Sequence, residues 1–208
     1  MKHSHFHRWA TGCAGVAIAS LGMSFFLVAS ASERDAKPGA EISATLTNVI
    51  DLRGHSVNPF EGQAKVIVFI FVNPECPISN RYAPEIQRLA KAFEPRDATF
   101  WLVYPDPDLS GETIQKHLKE YGYSLRAVRD PRHLLVKKSQ VQVTPEAAVF
   151  VADGRLVYHG RIDDRYVDFG KERFAPTERD LETAIRACLA NKAVPRAATK
   201  AIGCYIPE

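Results

Sequence analysis

The sequence predicts an α/β domain, a central mixed β-sheet flanked by helices, and three observations carry that prediction. Residues 66–72 read Val-Ile-Val-Phe-Ile-Phe-Val, seven apolar residues without a break. This is the pattern of a strand whose sheet is covered on both faces. A second short apolar run at 99–104 has the same character. Segments with helical periodicity alternate with such runs down the chain, the sequence form of a layered α/β fold.

In chain order, the first stretch stands apart. Lys2 and Arg8 give a basic start, residues 9–28 are mostly apolar, and Ala29-Ser30-Ala31 is a small-x-small site. Residues 1–31 therefore read as a secretory signal peptide cleaved after Ala31, with an uncleaved anchor as the alternative. Export to the periplasm or out of the cell is the expectation. Residues 32–40 are charged, contain Pro38-Gly39 and read as a linker. Residues 41–208 form the domain, ending in a tail at 192–208. Removing residues 1–31 lowers the formal net charge from +3 to +1, with 25 basic against 24 acidic side chains. Nothing in that balance argues for nucleic acid. Both methionines leave with the signal, and Cys76, Cys188 and Cys204 remain in an oxidising compartment.

A first strand is expected at 46–52, a turn at 53–55 and a loop at 58–63, followed by the central strand. After a polar turn, Ile86, Leu89, Ala90 and Phe93 fall on one helical face, and Ser79 or Asn80 can cap the helix start. The run at 99–104 ends at Pro105-Asp106-Pro107. Ser110 caps a helix through Tyr121, with Gly122 as its stop. A short strand at 125–128, a short helix at 131–139 and a strand at 143–151 follow. Asp153-Gly154 turns a hairpin whose return strand is 155–162. A polar loop runs to Pro176, and Thr177 caps a last helix at 178–189 with Leu181, Ile185, Cys188 and Leu189 on one stripe.

Cys76 stands where the central strand hands over to a helix. Backbone N–H groups there favour a thiolate, the reactive form of cysteine. The arrangement of strand, Cys76-Pro77, helix and Pro84 resembles the thioredoxin fold, with Ser79 at the position of that motif's second cysteine. With its long apolar strand it also resembles the peroxiredoxin and redoxin branch, the alkyl hydroperoxide reductase/thiol-specific antioxidant group. The resemblance spans roughly residue 41 to the C-terminus. It departs from peroxiredoxins at Asn73, where they carry Thr or Ser, and at Phe69, where they carry proline. The resemblance implies a thioredoxin-like fold and a cis-proline at Pro145 beside the catalytic cysteine. It also implies a thiol-dependent oxidoreductase, with a peroxide or disulfide as substrate and an external thiol as reductant.

The hairpin topology is expected to bring residues 160–166 near Cys76. Arg129, Arg161 and Arg165 are candidates for stabilising its thiolate and holding a peroxide oxygen. Each has the alternative of a solvated arginine, and Arg165 that of an ion-pair network with Asp163 and Asp164. His159 reads as a strand residue rather than a base, and Cys188 as core. Ile202, Cys204, Tyr205 and Ile206 are too apolar for a solvated tail, so this end is expected to dock. Cys204 is then either the resolving partner of Cys76 or a buried residue. No Cys/His spacing matches a structural zinc or haem site, and neither a metal nor a cofactor is expected. The second reading is a non-catalytic binding module of the same fold. It would deliver copper, through Cys76 and loosely His159, or dock another exported redox protein.

Overall fold

A computed structural model describes residues 49–208. The expected signal segment, the linker and residues 46–48 of the expected first strand lie outside the described residues. In chain order the elements are β1 (Val66–Phe71), α1 (Pro77–Arg81), α2 (Ala83–Phe93), β2 (Ala98–Tyr104), α3 (Gly111–Glu120), β3 (Arg126–Arg129) and α4 (Leu134–Ser139). Then follow β4 (Val143–Thr144), β5 (Glu146–Val151), β6 (Leu156–Gly160), β7 (Tyr166–Asp168), β8 (Lys171–Glu172), α5 (Asp180–Leu189) and β9 (Cys204–Tyr205).

Five strands make one sheet in the order β3-β2-β1-β5-β6. β1 runs parallel to β2, with Val66 opposite Ala98, and antiparallel to β5, with Phe71 opposite Glu146. β1 therefore lies in the middle, and its alternating side chains serve two cores. Val66, Val68 and Ile70 pack with Ile86 and Leu89 of α2 and Leu181 and Ile185 of α5. Ile67, Phe69 and Phe71 pack with Trp101, Leu135 and Phe150 on the other face. Phe60 closes that second face, its ring 5.4 Å from Phe69 and 5.2 Å from Phe150. Two covered faces explain why the run has no polar alternation. The architecture is thioredoxin-like.

Local signals act where expected in α3 and the hairpin. Ser110 accepts the Thr113 N–H at 3.0 Å, capping α3. Gly154 takes φ +81° in the turn between β5 and β6, and its N–H reaches the Val151 carbonyl at 2.8 Å. Four expectations need correction. Ser79 and Asn80 cap no helix start: both lie inside α1, and neither α1 nor α2 has a side-chain cap. The first strand is reduced, within the described residues, to isolated bridges from Ile50 to Ser56 and Arg129. The Asp51 carboxylate captures the N–H groups of Arg53 and His55 at 2.8 and 2.9 Å, which bends the chain instead of extending it. Thr177 does not cap the last helix. Its hydroxyl donates to Asp164, a stronger acceptor, and α5 starts at Asp180 without a side-chain cap. The polar loop after residue 165 contains a small hairpin, β7 and β8, turned at Gly170 with φ +71°.

Candidate active site

Cys76 is the N-cap of α1 and only 1% exposed. Its N–H bonds to the Asn73 carbonyl at 3.1 Å, and its thiol donates to the Thr144 carbonyl at 3.0 Å. The Thr144–Pro145 peptide bond is cis, so the expected cis-proline follows directly on the residue that contacts the cysteine.

The turn that carries Cys76 is held by side chains on both sides. Asn73 donates its N–H to the Ser79 hydroxyl at 3.2 Å, so the residue at the second-cysteine position closes the turn. The Asn73 side chain adds two more links. Its carbonyl oxygen accepts the Glu75 N–H at 2.8 Å, and its amide approaches Asp106 at 3.5 Å. Asn80 donates to the Pro74 carbonyl at 2.7 Å.

Cys204 arrives on a strand. β9 pairs antiparallel with β4, setting Thr144 opposite Cys204 and Val143 opposite Tyr205. Burial, then the neighbouring Cys76 thiol, pushes the Cys204 thiol up to about 12. The tail leading there is anchored backbone to backbone. His159 donates to Ala197 at 3.0 Å, Thr199 to His159 at 3.1 Å, and Ile206 to Gln142 at 3.1 Å. Gly203 passes so close to β4 that a Cβ there would stand 2.2 Å from the Thr144 carbonyl oxygen. The tail is therefore fixed with Cys204 across the ladder from Thr144, whose carbonyl accepts the Cys76 thiol.

Among the described residues, no hydrogen bond or ion pair joins Arg129, Arg161 or Arg165 to Cys76. Arg165 lines a cavity of about 240 Å³ with Arg81, Tyr82, Arg88 and Arg179, and Cys76 is not in its wall. Ion pairs to Glu172, Glu85 and Glu182 occupy Arg81, Arg88 and Arg179. Arg161 is claimed by Asp180 at 2.7 Å and by Glu178. Arg129 pairs with Ile50 through its backbone, and its Nε is buried without a partner. The loop at 160–166 does return to the helix pair that Cys76 starts. It reaches Tyr82, whose hydroxyl donates to Asp163 at 2.6 Å. Asp163 and Asp164 serve structure, not the thiol.

Two groups at the site escaped the sequence reading. Glu146 follows the cis-proline and is 6% exposed. It accepts the N–H groups of Gln142 and Val143 at 2.8 and 3.2 Å, shaping the strand that holds β9. Burial pushes its carboxyl up, against those bonds and His159, which lies 3.8 Å away. A lone acid at the head of an apolar run directly after a proline was the available signal. The second group is His117, which is 4% exposed and lies between Tyr104 and Asn80.

The AhpC/TSA family model matches residues 40–159, more than half of the chain. The chain belongs to the AhpC/TSA family. Its redoxin character is shared with that family, whose match includes Cys76 and Pro145 and stops short of Cys204. Among solved structures, an uncharacterized conserved protein from Geobacillus kaustophilus is similar, with a TM-score of 0.68 and 24% identity. The match covers 77% of this chain and 87% of that one. A hypothetical protein from Sinorhizobium meliloti matches with a TM-score of 0.65 and 24% identity, over 76% of this chain and 88% of that one. These two likenesses speak to the fold. A search of curated proteins returns no match.

Proposed function

We propose that the chain is an exported thiol-disulfide oxidoreductase in which Cys76 and Cys204 cycle between dithiol and disulfide. The observation that carries this reading is that β9 sets Cys204 opposite Thr144, whose carbonyl accepts the Cys76 thiol at 3.0 Å. In this reading the Cys76 thiolate attacks one sulfur of a substrate disulfide. The other sulfur leaves as a thiolate and takes up a proton. Cys204, as thiolate, then attacks the Cys76 sulfur and expels the second substrate thiol. The product is a Cys76–Cys204 disulfide, and an external dithiol reduces it again. A peroxide would instead give a sulfenic acid at Cys76 and an alcohol or water, and Cys204 would close the disulfide with loss of a second water. Disulfide exchange is favoured because the position of the peroxidase hydroxyl is taken by Asn73, whose carbonyl oxygen is held by the Glu75 N–H at 2.8 Å.

The test is peptide mapping of oxidised protein under non-reducing conditions. A Cys76–Cys204 linked peptide is the expected result. Turnover with both cysteines left unpaired would overturn the pairing. Export is tested separately by intact mass, which should begin at Ser32. A full-length chain confined to the membrane fraction would mean an anchor.

A further inference from the structure

His117 is a buried titratable group for which the thiol chemistry itself has no use. It sits on α3, 37 residues from Asn80 in sequence. Three hydrogen bonds run from the core through it to the turn that carries Cys76. The Tyr104 hydroxyl meets His117 Nδ1 at 2.8 Å. His117 Nε2 meets Asn80 Oδ1 at 2.9 Å. Asn80 Nδ2 donates to the Pro74 carbonyl at 2.7 Å.

The direction of every bond is set from one end. The Pro74 carbonyl can only accept, so the Asn80 amide nitrogen must face it. Asn80 Oδ1 is then the atom facing His117, which requires a hydrogen on Nε2. Nδ1 is left as an acceptor for the Tyr104 hydroxyl. The chain is complete only with a neutral, Nε2-protonated imidazole.

We propose that His117 is a positioning residue for the Cys76 turn: its Nε2–H holds Asn80 Oδ1, and Asn80 in turn holds the Pro74 carbonyl. This rests on Cys76 being the reacting thiol. A proton on Nδ1 would reverse the Tyr104 bond. Tyr104 is fully buried, and its hydroxyl hydrogen would then lose the acceptor it has now. The groups packed around the ring supply little for a cation. They are Tyr104 from β2, Asn80 from α1, and Tyr121 and Tyr123 from the segment after α3, with rings 4.9 and 5.8 Å away. Glu120, on the segment of α3 itself, is the one carboxylate acting on the ring. Burial, opposed by Glu120, draws the imidazole below its ordinary value.

The test uses the folded full chain and reads two quantities. The first is the rate at which iodoacetamide labels Cys76, followed by peptide mass spectrometry. Asn80→Ala should slow labelling about tenfold at neutral pH, the cost of one buried hydrogen bond. His117→Ala removes the donor to Asn80 and should slow labelling as much. His117→Gln can still donate to Asn80 and should label near the wild-type rate. The second quantity is the imidazole tautomer from nitrogen chemical shifts, which should be the Nε2–H form. An Nδ1–H tautomer, His117→Ala labelling at the wild-type rate, or His117→Gln labelling as slowly as His117→Ala would overturn the proposal. Because labelling needs no substrate, loss of the redox reading would show as absent turnover with the difference between His117→Ala and His117→Gln intact.

Discussion

Cys76 and Cys188 are both buried, 1% and 8% exposed, and both belong to the same core. Their surroundings differ in kind. Cys188 sits on α5 beside Leu181, Ala184 and Ile185, at the wall of a cavity of about 790 Å³ that also touches Lys65, Arg155 and Lys192. Burial pushes its thiol up, with Arg155 opposing. Cys76 is held by the Thr144 carbonyl, and β9 sets Cys204 opposite Thr144. Burial alone does not distinguish a structural thiol from a chemical one. The distinction lies in what the sulfur is held against, and here that is a polar strand end that also receives the C-terminal strand.

The largest expected effect tests this contrast directly. Cys76→Ser should abolish disulfide turnover, whereas Cys188→Ser should keep it within about threefold, as for a substitution that touches no reacting atom. A steady-state thiol assay on the two variants decides it. Turnover retained in Cys76→Ser would remove the basis for separating the two cysteines.

The next effect is steric. Gly203→Ala adds a Cβ that would stand 2.2 Å from the Thr144 oxygen and 3.1 Å from the Pro145 nitrogen. Both neighbours are backbone, so β9 must lift. Formation of the Cys76–Cys204 disulfide should slow at least about tenfold, the effect of a misplacement near an ångström. Labelling of Cys188 should not change. Acid-trapped time points after oxidation measure both in one experiment. An unchanged closure rate would mean that β9 is not what delivers Cys204.

How much of this was legible in the chain depends on the range of each interaction. The run at 66–72, the Ser110 cap and the turn at Gly154 are written within a few residues, and they appear in the structure as strand, cap and hairpin. The resemblance around Cys76 marked the turn and Pro145. It could not give the β4–β9 pairing, because a strand of two residues has no periodicity to read. Nor could it give His117, whose link to Asn80 is set by how α3 packs on the sheet. Thr177 misled for a related reason. It has the chemistry of a cap, but Asp164, 13 residues earlier, takes its hydroxyl. Local patterns predict an element reliably until a distant polar group competes for the same hydrogen bond.

The smallest effect concerns how the two thiol-bearing regions are tied to the loop between them. Adjacent aspartates do this. Asp163 accepts the Tyr82 hydroxyl at 2.6 Å at the start of α2, and Asp164 holds the approach to α5. Asp164 accepts N–H groups from Thr177 at 2.6 Å and Glu178 at 2.8 Å, and faces Arg173 at 3.2 Å. Burial alone would raise its carboxyl, but these bonds and the guanidinium outweigh it and hold it at about 2, below its ordinary 3.8. A depressed carboxyl stabilises the fold above its unfolded value and loses that contribution as pH falls through the folded one. The Asp164 contribution is therefore complete above pH 3.8 and lost as pH falls through about 2. Asp164→Asn keeps an acceptor for one N–H but turns an amide toward Arg173. It should cost about 1–2 kcal/mol near neutral pH, with the deficit shrinking in acid. Urea unfolding of wild type and variant across that range measures the difference. A deficit that does not shrink would place the role of Asp164 in shape rather than charge. With Asp163 untouched, the variant should still label at Cys76 as wild type does, which keeps the loss on the α5 side of the loop.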